Sequence, residues 1–296
     1  MRNPILLAPV FALFAAVSAI AAPCTPFVGA ICAGSEAITY DQMIARLRVA
    51  DIAVLGERHD NPAHHEMQAR VVGDLAPAGL ALEMIPFERE DYANAARLNG
   101  DDLAEALEWE ASGWPDFAMY APIFDAAPEA WVSGGGVAPD VLRKSVMEGA
   151  AAAWPEGAER YGLNERMPQD VIDAMLEEQD VAHCGALPTG MLPGMVEAQQ
   201  LRDASFADAA LRLLEADHAP VVLITGNGHA RADRGSPLYL KRAAPDVTAL
   251  SVGMIEVGES DAQDLANEAP FDVVIYTEPF DRGDPCEEFI RKRKKP

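Results

Sequence analysis

Four residues whose side chains can transfer protons or bind a metal ion are spaced along predicted strands. Glu57 and His59 follow one strand directly, His229 follows a second, and Glu83 lies within a third that is otherwise apolar. Ligands collect at the carboxyl ends of the strands in a parallel α/β sheet, so we expect these four side chains to share one site. Two imidazoles and two carboxylates suffice for acid–base catalysis or for a hard metal site.

Each of these residues also has an ordinary structural explanation. A single histidine is more often a surface residue, or a core residue with a satisfied hydrogen bond, than a ligand. Glu83 is a stronger signal, because an unpaired carboxylate in an apolar strand would cost several kcal/mol. We therefore expect Glu83 to face a cation, a metal ion or a hydrogen-bond donor.

The elements that position these residues follow from the pattern of apolar runs. Short β-branched or aliphatic runs alternate with helical patterns, which is typical of an α/β fold with a largely parallel central sheet flanked by helices. A cap residue and a proline, Asn61-Pro62, predict the start of the helix after the first strand. Residues 86–216 are mostly helical in pattern and are interpreted as a helical subdomain or lid. The predicted strands are residues 51–56, 79–85, 130–133, 220–226, 247–257 and 271–277.

The composition limits the class of protein. The chain has 296 residues, 50% of them hydrophobic, which is enough apolar mass for one large domain or two small ones. It carries 23 Lys and Arg against 47 Asp and Glu, a net charge of -24, so nucleic-acid binding is not expected. The sequence also lacks the motifs of a serine-hydrolase elbow, a phosphate-binding loop and a helical zinc protease.

The first residues have the pattern of a secretory signal peptide. Arg2 precedes an apolar run that ends in small residues, and cleavage after Ala21 fits this pattern. We expect a signal peptide over residues 1–21, one domain over residues 22–290 and a basic tail over residues 291–296. This organisation predicts export to the periplasm or the cell envelope. The apolar run is too short to span a membrane, and no later window is long and apolar enough.

The even number of cysteines is consistent with a protein that resides in an oxidising compartment. There are four of them, which allow three pairings, and we prefer Cys24–Cys32 together with Cys184–Cys286. Cys24 could instead be the lipidated N-terminus of a lipoprotein. The preceding residue is Pro23, whereas such signals have a small residue there, so lipid anchoring is not favoured.

A stretch rich in aromatic residues, residues 109–124, also bears on function. Trp, Phe, Met and Tyr side chains at this density can form a flat apolar wall for a planar ligand, with Tyr120 as its polar group. They can equally close the core over the sheet, which is the default for an aromatic cluster. The residues alone leave both interpretations open.

Four motifs, taken together and in order, resemble the ChaN family of iron-regulated haem-binding proteins. This family belongs to a grouping that includes Tiki-type metalloproteases and is similar to the erythromycin esterases. The resemblance covers roughly residues 50–280, and the joint occurrence of the motifs is far more specific than any one of them. The motifs are Gly56-Glu57-Arg58-His59-Asp60-Asn61-Pro62 with His64, His65 and Gln68, then Leu82-Glu83-Met84, then Trp114 to Ile123, and Gly226-Asn227-Gly228-His229-Ala230-Arg231.

The resemblance implies an α/β fold with a helical subdomain, export to the cell envelope, and dimers that bind haem through a tyrosine. Tyr120 best matches that tyrosine and would ligate the iron of the cofactor, Fe(III) protoporphyrin. His64, His65, Trp114 and Arg231 would complete the cofactor-binding surface. The esterase-like relatives imply that catalytic residues, if there are any, are the four acid–base residues described first.

Two functions from different classes follow. The preferred one is a haem-binding protein for haem and iron acquisition, with a second copy of the chain and a haem-uptake receptor as candidate partners. The alternative is a metal-dependent or His/Glu-dependent hydrolase, an esterase or peptidase, in which His59 or His229 is the general base. The negative charge of the chain opposes the attraction of haem propionates, which only local cations such as Arg58, Arg89 or Arg231 would offset.

Overall fold

The computed structural model describes residues 22–258, 270–284 and 286–287. Its strands are β1 (Ile31–Ala33), β2 (Glu36–Ala37), β3 (Ile52–Glu57), β4 (Gly79–Pro86), β5 (Trp131–Gly136), β6 (Val221–Gly226), β7 (Ala249–Glu256) and β8 (Val273–Thr277). In this part of the chain the strands form one sheet in the order β2-β1-β8-β7-β3-β6-β4-β5. Strands β3 to β8 are parallel, and β1 is antiparallel to both of its neighbours. The predicted α/β fold class is confirmed.

Helices connect the strands and cover both faces of the sheet. Two short 3-10 turns, Phe87–Arg89 and Thr189–Met191, accompany them. The α-helices are α1 (Tyr40–Leu47), α2 (Pro62–Leu75), α3 (Glu90–Asn99), α4 (Leu103–Ala106), α5 (Trp109–Ser112), α6 (Phe117–Ala126), α7 (Pro139–Glu148), α8 (Ala150–Ala153), α9 (Pro155–Ala158), α10 (Gln169–Ala182), α11 (Leu192–Glu215), α12 (Asn227–Ala230) and α13 (Ser236–Ala243).

The central strands are buried on both faces. β3 and β6 are buried at every residue, as expected for parallel strands with continuously apolar sequences. On one face, Phe206 of α11 belongs to the same core cluster as Leu223. On the other, Val71 and Phe124 of α2 and α6 belong to the same cluster as Leu55. Each fully buried Leu or Phe contributes ~1.5–3 kcal/mol, so the sheet is a firm support for side chains at its edge.

All of the predicted strands are present, with small differences at their ends. β5 continues to Gly136, beyond the predicted end at residue 133, because consecutive glycines carry no strand signal. A Cβ on Gly134 would lie 2.6 Å from the carbonyl oxygen of Pro86, so only glycine lets β5 approach β4 this closely. The hairpin of β1 and β2 was not predicted, because strands of 3 and 2 residues show no periodic pattern.

The predicted start of α2 is confirmed. Asn61 is the N-cap residue, its Oδ1 accepts a hydrogen bond from the backbone of Ala63 at 2.9 Å, and a proline opens the helix. This start places His64 and His65 in the first turn, directly beside the end of β3.

Both expected disulfides, Cys24–Cys32 and Cys184–Cys286, are formed. The second ties the segment after α10 to the region after β8. Between β4 and β6 the chain is helical except for β5. The division into signal peptide, domain and basic tail stays a prediction, since residues 1–21 and 291–296 lie outside the described residues. None of the helices described is both long and apolar enough to span a bilayer.

Candidate acid–base centre and the aromatic patch beside it

The structure brings the four predicted acid–base residues to one edge of the sheet. β3, β6 and β4 are neighbours in that order. Glu57 ends β3, His59 lies two residues further, His229 lies in the short helix after β6, and Glu83 lies in the second half of β4. Adjacent parallel strands therefore assemble the cluster from distant parts of the sequence.

His59 forms an imidazole–carboxylate pair with Glu57. Its Nδ1 lies 2.7 Å from Glu57 Oε1, and its Nε2 lies 4.0 Å from Glu83 Oε2. The side chain is 32% exposed, and the ring of Trp114 packs edge-on against it at 4.8 Å between centroids. Burial lowers the pKa of His59, but the hydrogen bond to Glu57 and the charge of Glu83 outweigh burial and raise the pKa to about 9. His59 is therefore protonated at neutral pH.

His229 forms a second pair of the same kind with Asp203 of α11. Its Nδ1 lies 2.7 Å from Asp203 Oδ1, and its Nε2 lies 3.7 Å from Glu83 Oε1. Burial lowers the pKa of His229, but the charges of Glu83 and Asp203 outweigh burial, so the pKa is raised. Burial raises the pKa of Asp203 to about 6, against the opposing charge of His229. At neutral pH Asp203 is therefore ionised, and its charge favours the protonated form of His229.

Asp203 was not predicted as a site residue from the sequence. It lies 26 residues before His229, on a helix whose other buried residues are mostly apolar. A carboxylate on the apolar face of a helix is the same signal that singled out Glu83 in its strand. A search for carboxylates at apolar positions in helices as well as in strands would have identified Asp203.

Glu83 lies between the two imidazoles. Its Oε2 accepts hydrogen bonds from Thr225 Oγ1 at 2.7 Å and from the backbone of Gly226 at 2.8 Å. Burial raises the pKa of Glu83, but the charges of His229 and His59 outweigh burial and lower it. A Cβ on Gly226 would lie 3.0 Å from His59 Nε2, so glycine leaves room for the ring. The expectation that Glu83 faces a cation or a donor is confirmed.

Glu57, His59, Glu83, Asp203 and His229 are called the acid–base centre below. Each imidazole binds a carboxylate through Nδ1 and turns Nε2 toward the same third carboxylate, which fixes both rings for proton transfer. The pKa of His59, at about 9, means that this ring donates rather than accepts at neutral pH, and the pKa of His229 is raised as well. Within the described residues, no group of three or more His, Cys, Asp or Glu side chains has the arrangement of a metal site.

Tyr120, the residue expected to ligate haem iron, lies against this centre. It is 0% exposed, and its hydroxyl donates to Glu57 Oε1 at 2.9 Å. Its ring packs against the rings of His65 and Trp109. Burial, followed by the negative charge of Glu57, raises the pKa of Tyr120 above its ordinary range. This environment disfavours the phenolate that would bind ferric iron.

The two histidines of α2 expected to contact the cofactor are also buried. His64 Nδ1 accepts a hydrogen bond from the backbone of Arg58 at 2.8 Å, and its Nε2 lies 2.8 Å from Thr277 Oγ1. Burial lowers the pKa of His64 to about 4, so this ring is neutral at neutral pH. His65 is held by a hydrogen bond of 3.0 Å between its Nε2 and the carbonyl of His59. Neither ring presents a face to solvent.

The remaining two residues expected to contact the cofactor lie at the periphery. Trp114 is half-buried and packs against His59. Arg231 follows α12, with Nη2 2.8 Å from Asp233 Oδ2 and Nη1 3.8 Å from Glu178 Oε1, so its charge is paired. As cofactor-binding residues, Trp114, Arg231 and the buried residues above stay predictions.

An exposed aromatic patch directly follows β4, on the same edge of the sheet. It consists of Phe87, Arg89 and Tyr92 and is called the rim patch. Phe87 is 55% and Tyr92 is 59% exposed. The guanidinium of Arg212 lies 4.8 Å from the ring centre of Phe87, and that of Arg89 lies 5.2 Å from the ring centre of Tyr92. Two exposed aromatic side chains, each beside a guanidinium, can therefore contact a ligand from solvent.

Tyr92 differs from the other tyrosines of the chain. All 6 tyrosines lie within the described residues. Tyr40 is half-buried and donates its hydroxyl to Asp74 at 2.7 Å. Tyr92 is the one that presents most of its side chain to solvent. The buried tyrosines are Tyr120, Tyr161, Tyr239 and Tyr276.

A family model described as haem-binding uptake, Tiki superfamily, ChaN matches residues 43–240. This chain belongs to the ChaN family. The resemblance carried by the four motifs is therefore confirmed. No curated protein matches the sequence significantly.

Several solved structures match the chain. The structure described as cofacial heme binding to ChaN of Campylobacter jejuni matches with a TM-score of 0.66 and 19% identity, over 83% of this chain and 95% of that one. The type III effector HopBA1 matches with a TM-score of 0.46 and 14% identity, over 81% and 93%. An erythromycin esterase, EreC, matches with a TM-score of 0.42 and 12% identity, over 86% and 83%. At 19% identity the likeness to the Campylobacter jejuni protein concerns the fold alone, and the hydrolase alternative is not favoured.

Proposed function

We propose that this ChaN-family chain binds haem at the rim patch and acts in haem and iron acquisition. The observation that carries the proposal is membership of a haem-binding uptake family over residues 43–240. The related protein from Campylobacter jejuni is described as binding heme cofacially. The exposed ring of Phe87 offers an apolar contact for a porphyrin. A propionate would replace the exposed carboxylate of Glu108, which pairs with Arg89 in this structure.

We propose Tyr92 as the iron ligand. Ferric iron is a hard cation, and a tyrosine phenolate is one of its ligands in haem proteins. Tyr92 is 59% exposed, so a planar ligand can approach it without moving the core. Tyr120, which the motif indicates, would first have to give up its hydrogen bond to Glu57 and leave a completely buried position.

We further propose that the protein works outside the cytoplasm. Export by the predicted signal peptide, residues 1–21, would deliver it to an oxidising compartment where both disulfides persist. Cys24 is paired with Cys32, which supports the expectation of no lipid anchor at that residue. A second copy of the chain is a natural partner, because a surface tyrosine covers one face of a porphyrin and leaves the other open. A haem-uptake receptor is the other proposed partner.

Titration of the purified full chain with hemin, followed by absorbance, tests the function. We expect the Soret band to shift in the wild-type protein and in Tyr120→Phe. We expect Tyr92→Phe to lose the band typical of tyrosine-ligated ferric haem, because the ring remains and only the ligating oxygen is absent. Tyr120→Phe is the matched control, since it makes the same chemical change in a buried place.

The possible results separate the parts of the proposal. A hemin spectrum that the wild-type protein leaves unaltered rules out haem binding. Loss of the shift in Tyr120→Phe with retention in Tyr92→Phe assigns the ligand to Tyr120 and overturns the choice of Tyr92. An unchanged shift in both variants argues against ligation by either tyrosine.

A further inference from the structure

Two buried polar atoms beside the acid–base centre face each other. Glu57 Oε2 and His65 Nδ1 are both enclosed, and neither has a hydrogen-bond partner among the described residues. They lie 3.3 Å apart, which leaves no room for a water molecule between them. A carboxylate oxygen and a ring nitrogen held in this way need a hydrogen between them.

The contact made by Nε2 of His65 determines how many hydrogens the ring carries. His65 Nε2 lies 3.0 Å from the carbonyl oxygen of His59. A carbonyl only accepts, so Nε2 carries a hydrogen. In a neutral ring Nδ1 would then present a lone pair to a carboxylate oxygen. Two unpaired acceptors buried against each other are strongly unfavourable.

We propose that Glu57 and His65 hold one proton between them, so that this buried pair is a proton-binding site. The proton supplies a donor for Glu57 Oε2, whereas Oε1 already accepts from Tyr120 and His59. The ionisable groups that face the pair come from the loop after β3, from α2, from α6 and from β4. They are His59, Asp60, His64, Tyr120 and Glu83.

This proton completes an alternating chain of imidazoles and carboxylates across the edge of the sheet. Three imidazoles alternate with three carboxylates, so each protonated ring lies against an opposite charge and avoids being an uncompensated buried ion. Among its members the side chain of His59 is the most exposed, at 32%, so the chain meets solvent there. In order, the members are His65, Glu57, His59, Glu83, His229 and Asp203.

The proposal gives His65 a role different from contact with haem. A ring that carries hydrogens on both nitrogens has no lone pair for iron. His65 instead holds Glu57, and Glu57 orients the ring of His59. His65 is therefore a positioning residue, and this role does not depend on haem binding.

NMR of the full chain with 15N-labelled histidine tests the shared proton directly. At neutral pH we expect His65 to carry hydrogens on both ring nitrogens, because Nε2 donates to a carbonyl and Nδ1 faces a carboxylate oxygen. His64 is the internal control, because its ring is neutral at that pH. The variant Glu57→Gln should convert His65 to a neutral ring, since the amide N–H can itself supply the hydrogen that faces Nδ1.

The location of the proton decides the outcome. A doubly protonated His65, or a neutral His65 beside a Glu57 whose 13C carboxyl shift is that of the acid, supports the proposal. A neutral His65 beside an ionised Glu57 in the wild-type protein overturns it. An unchanged His65 ring in folded Glu57→Gln would also count against it, because the two residues would then not share a hydrogen.

Discussion

The acid–base centre and the rim patch lie at the same edge of the sheet but use similar side chains in opposite ways. Tyr120, beside the centre, is 0% exposed and donates its hydroxyl to Glu57, whereas Tyr92 in the patch is 59% exposed. The ionisable groups of the centre pair with one another, while the rings of the patch face water. Residues at the end of one strand can therefore contribute to a buried network of ionisable groups and, a few residues further along, to an exposed surface.

This difference implies that the acid–base centre contributes mainly to stability and the rim patch mainly to ligand binding. Removal of one member of a buried ionic network greatly lowers the free energy of unfolding, because its partners remain buried and unpaired. Exposed rings contribute little to folding and are free to meet a ligand. We therefore expect substitutions in the centre to change the free energy of unfolding, and substitutions in the patch to change haem binding.

The largest effect is expected for Glu83→Ala. This change removes the carboxylate that lies between His59 and His229 and leaves both buried rings without it. We expect the free energy of unfolding at neutral pH to fall by about 3–5 kcal/mol, measured by chemical denaturation. Glu83→Gln is the matched control and should lose less, because it keeps an oxygen for Thr225. A loss in Glu83→Ala below about 1 kcal/mol would show that the network does not support the fold.

The second largest effect expected is a loss of stability at alkaline pH. The pKa of His59 is raised from 6.5 to about 9 on folding, so its contribution is complete below about pH 6.5 and is lost as the pH rises through about 9. The side chain is 32% exposed, and after allowance for solvent screening we expect about 2 kcal/mol of this loss. Denaturation across this range measures it. His59→Asn, which keeps a donor for Glu57, should reduce the slope of the profile, whereas Tyr92→Phe should keep the wild-type slope.

Tyr120→Phe should have a smaller effect on stability. It removes one of the donors to Glu57 and leaves the ring in place, which corresponds to a loss of about 1–2 kcal/mol in the free energy of unfolding. Thermal or chemical denaturation measures this loss. A destabilisation near that of Glu83→Ala would mean that Tyr120 is an essential member of the network rather than one donor among several.

The fold and the location of the centre could be predicted from the sequence, but the partners of its residues could not. Continuous apolar runs identify parallel strands, and strand ends then identify Glu57, Glu83 and His229. Asp203 pairs with His229 from a helix far along the chain, and no local spacing encodes that contact. Burial of Tyr120 likewise depends on how α6 packs against α2, whereas an aromatic stretch fits core and binding wall equally well.

The smallest effect on stability, and the largest on binding, is expected in the rim patch. Phe87 is 55% exposed, and its ring contacts the guanidinium of Arg212, so Phe87→Ala should change the free energy of unfolding by less than about 0.5 kcal/mol. The same change should weaken hemin binding measured by absorbance titration, because the porphyrin loses an apolar contact. Exposed Leu98, 76% exposed and on the same helix as Tyr92, provides a control, and Leu98→Ala should change neither quantity. If Phe87→Ala leaves hemin binding intact while Glu83→Ala abolishes it in protein that remains folded, the ligand belongs at the centre and the separation of the two regions fails.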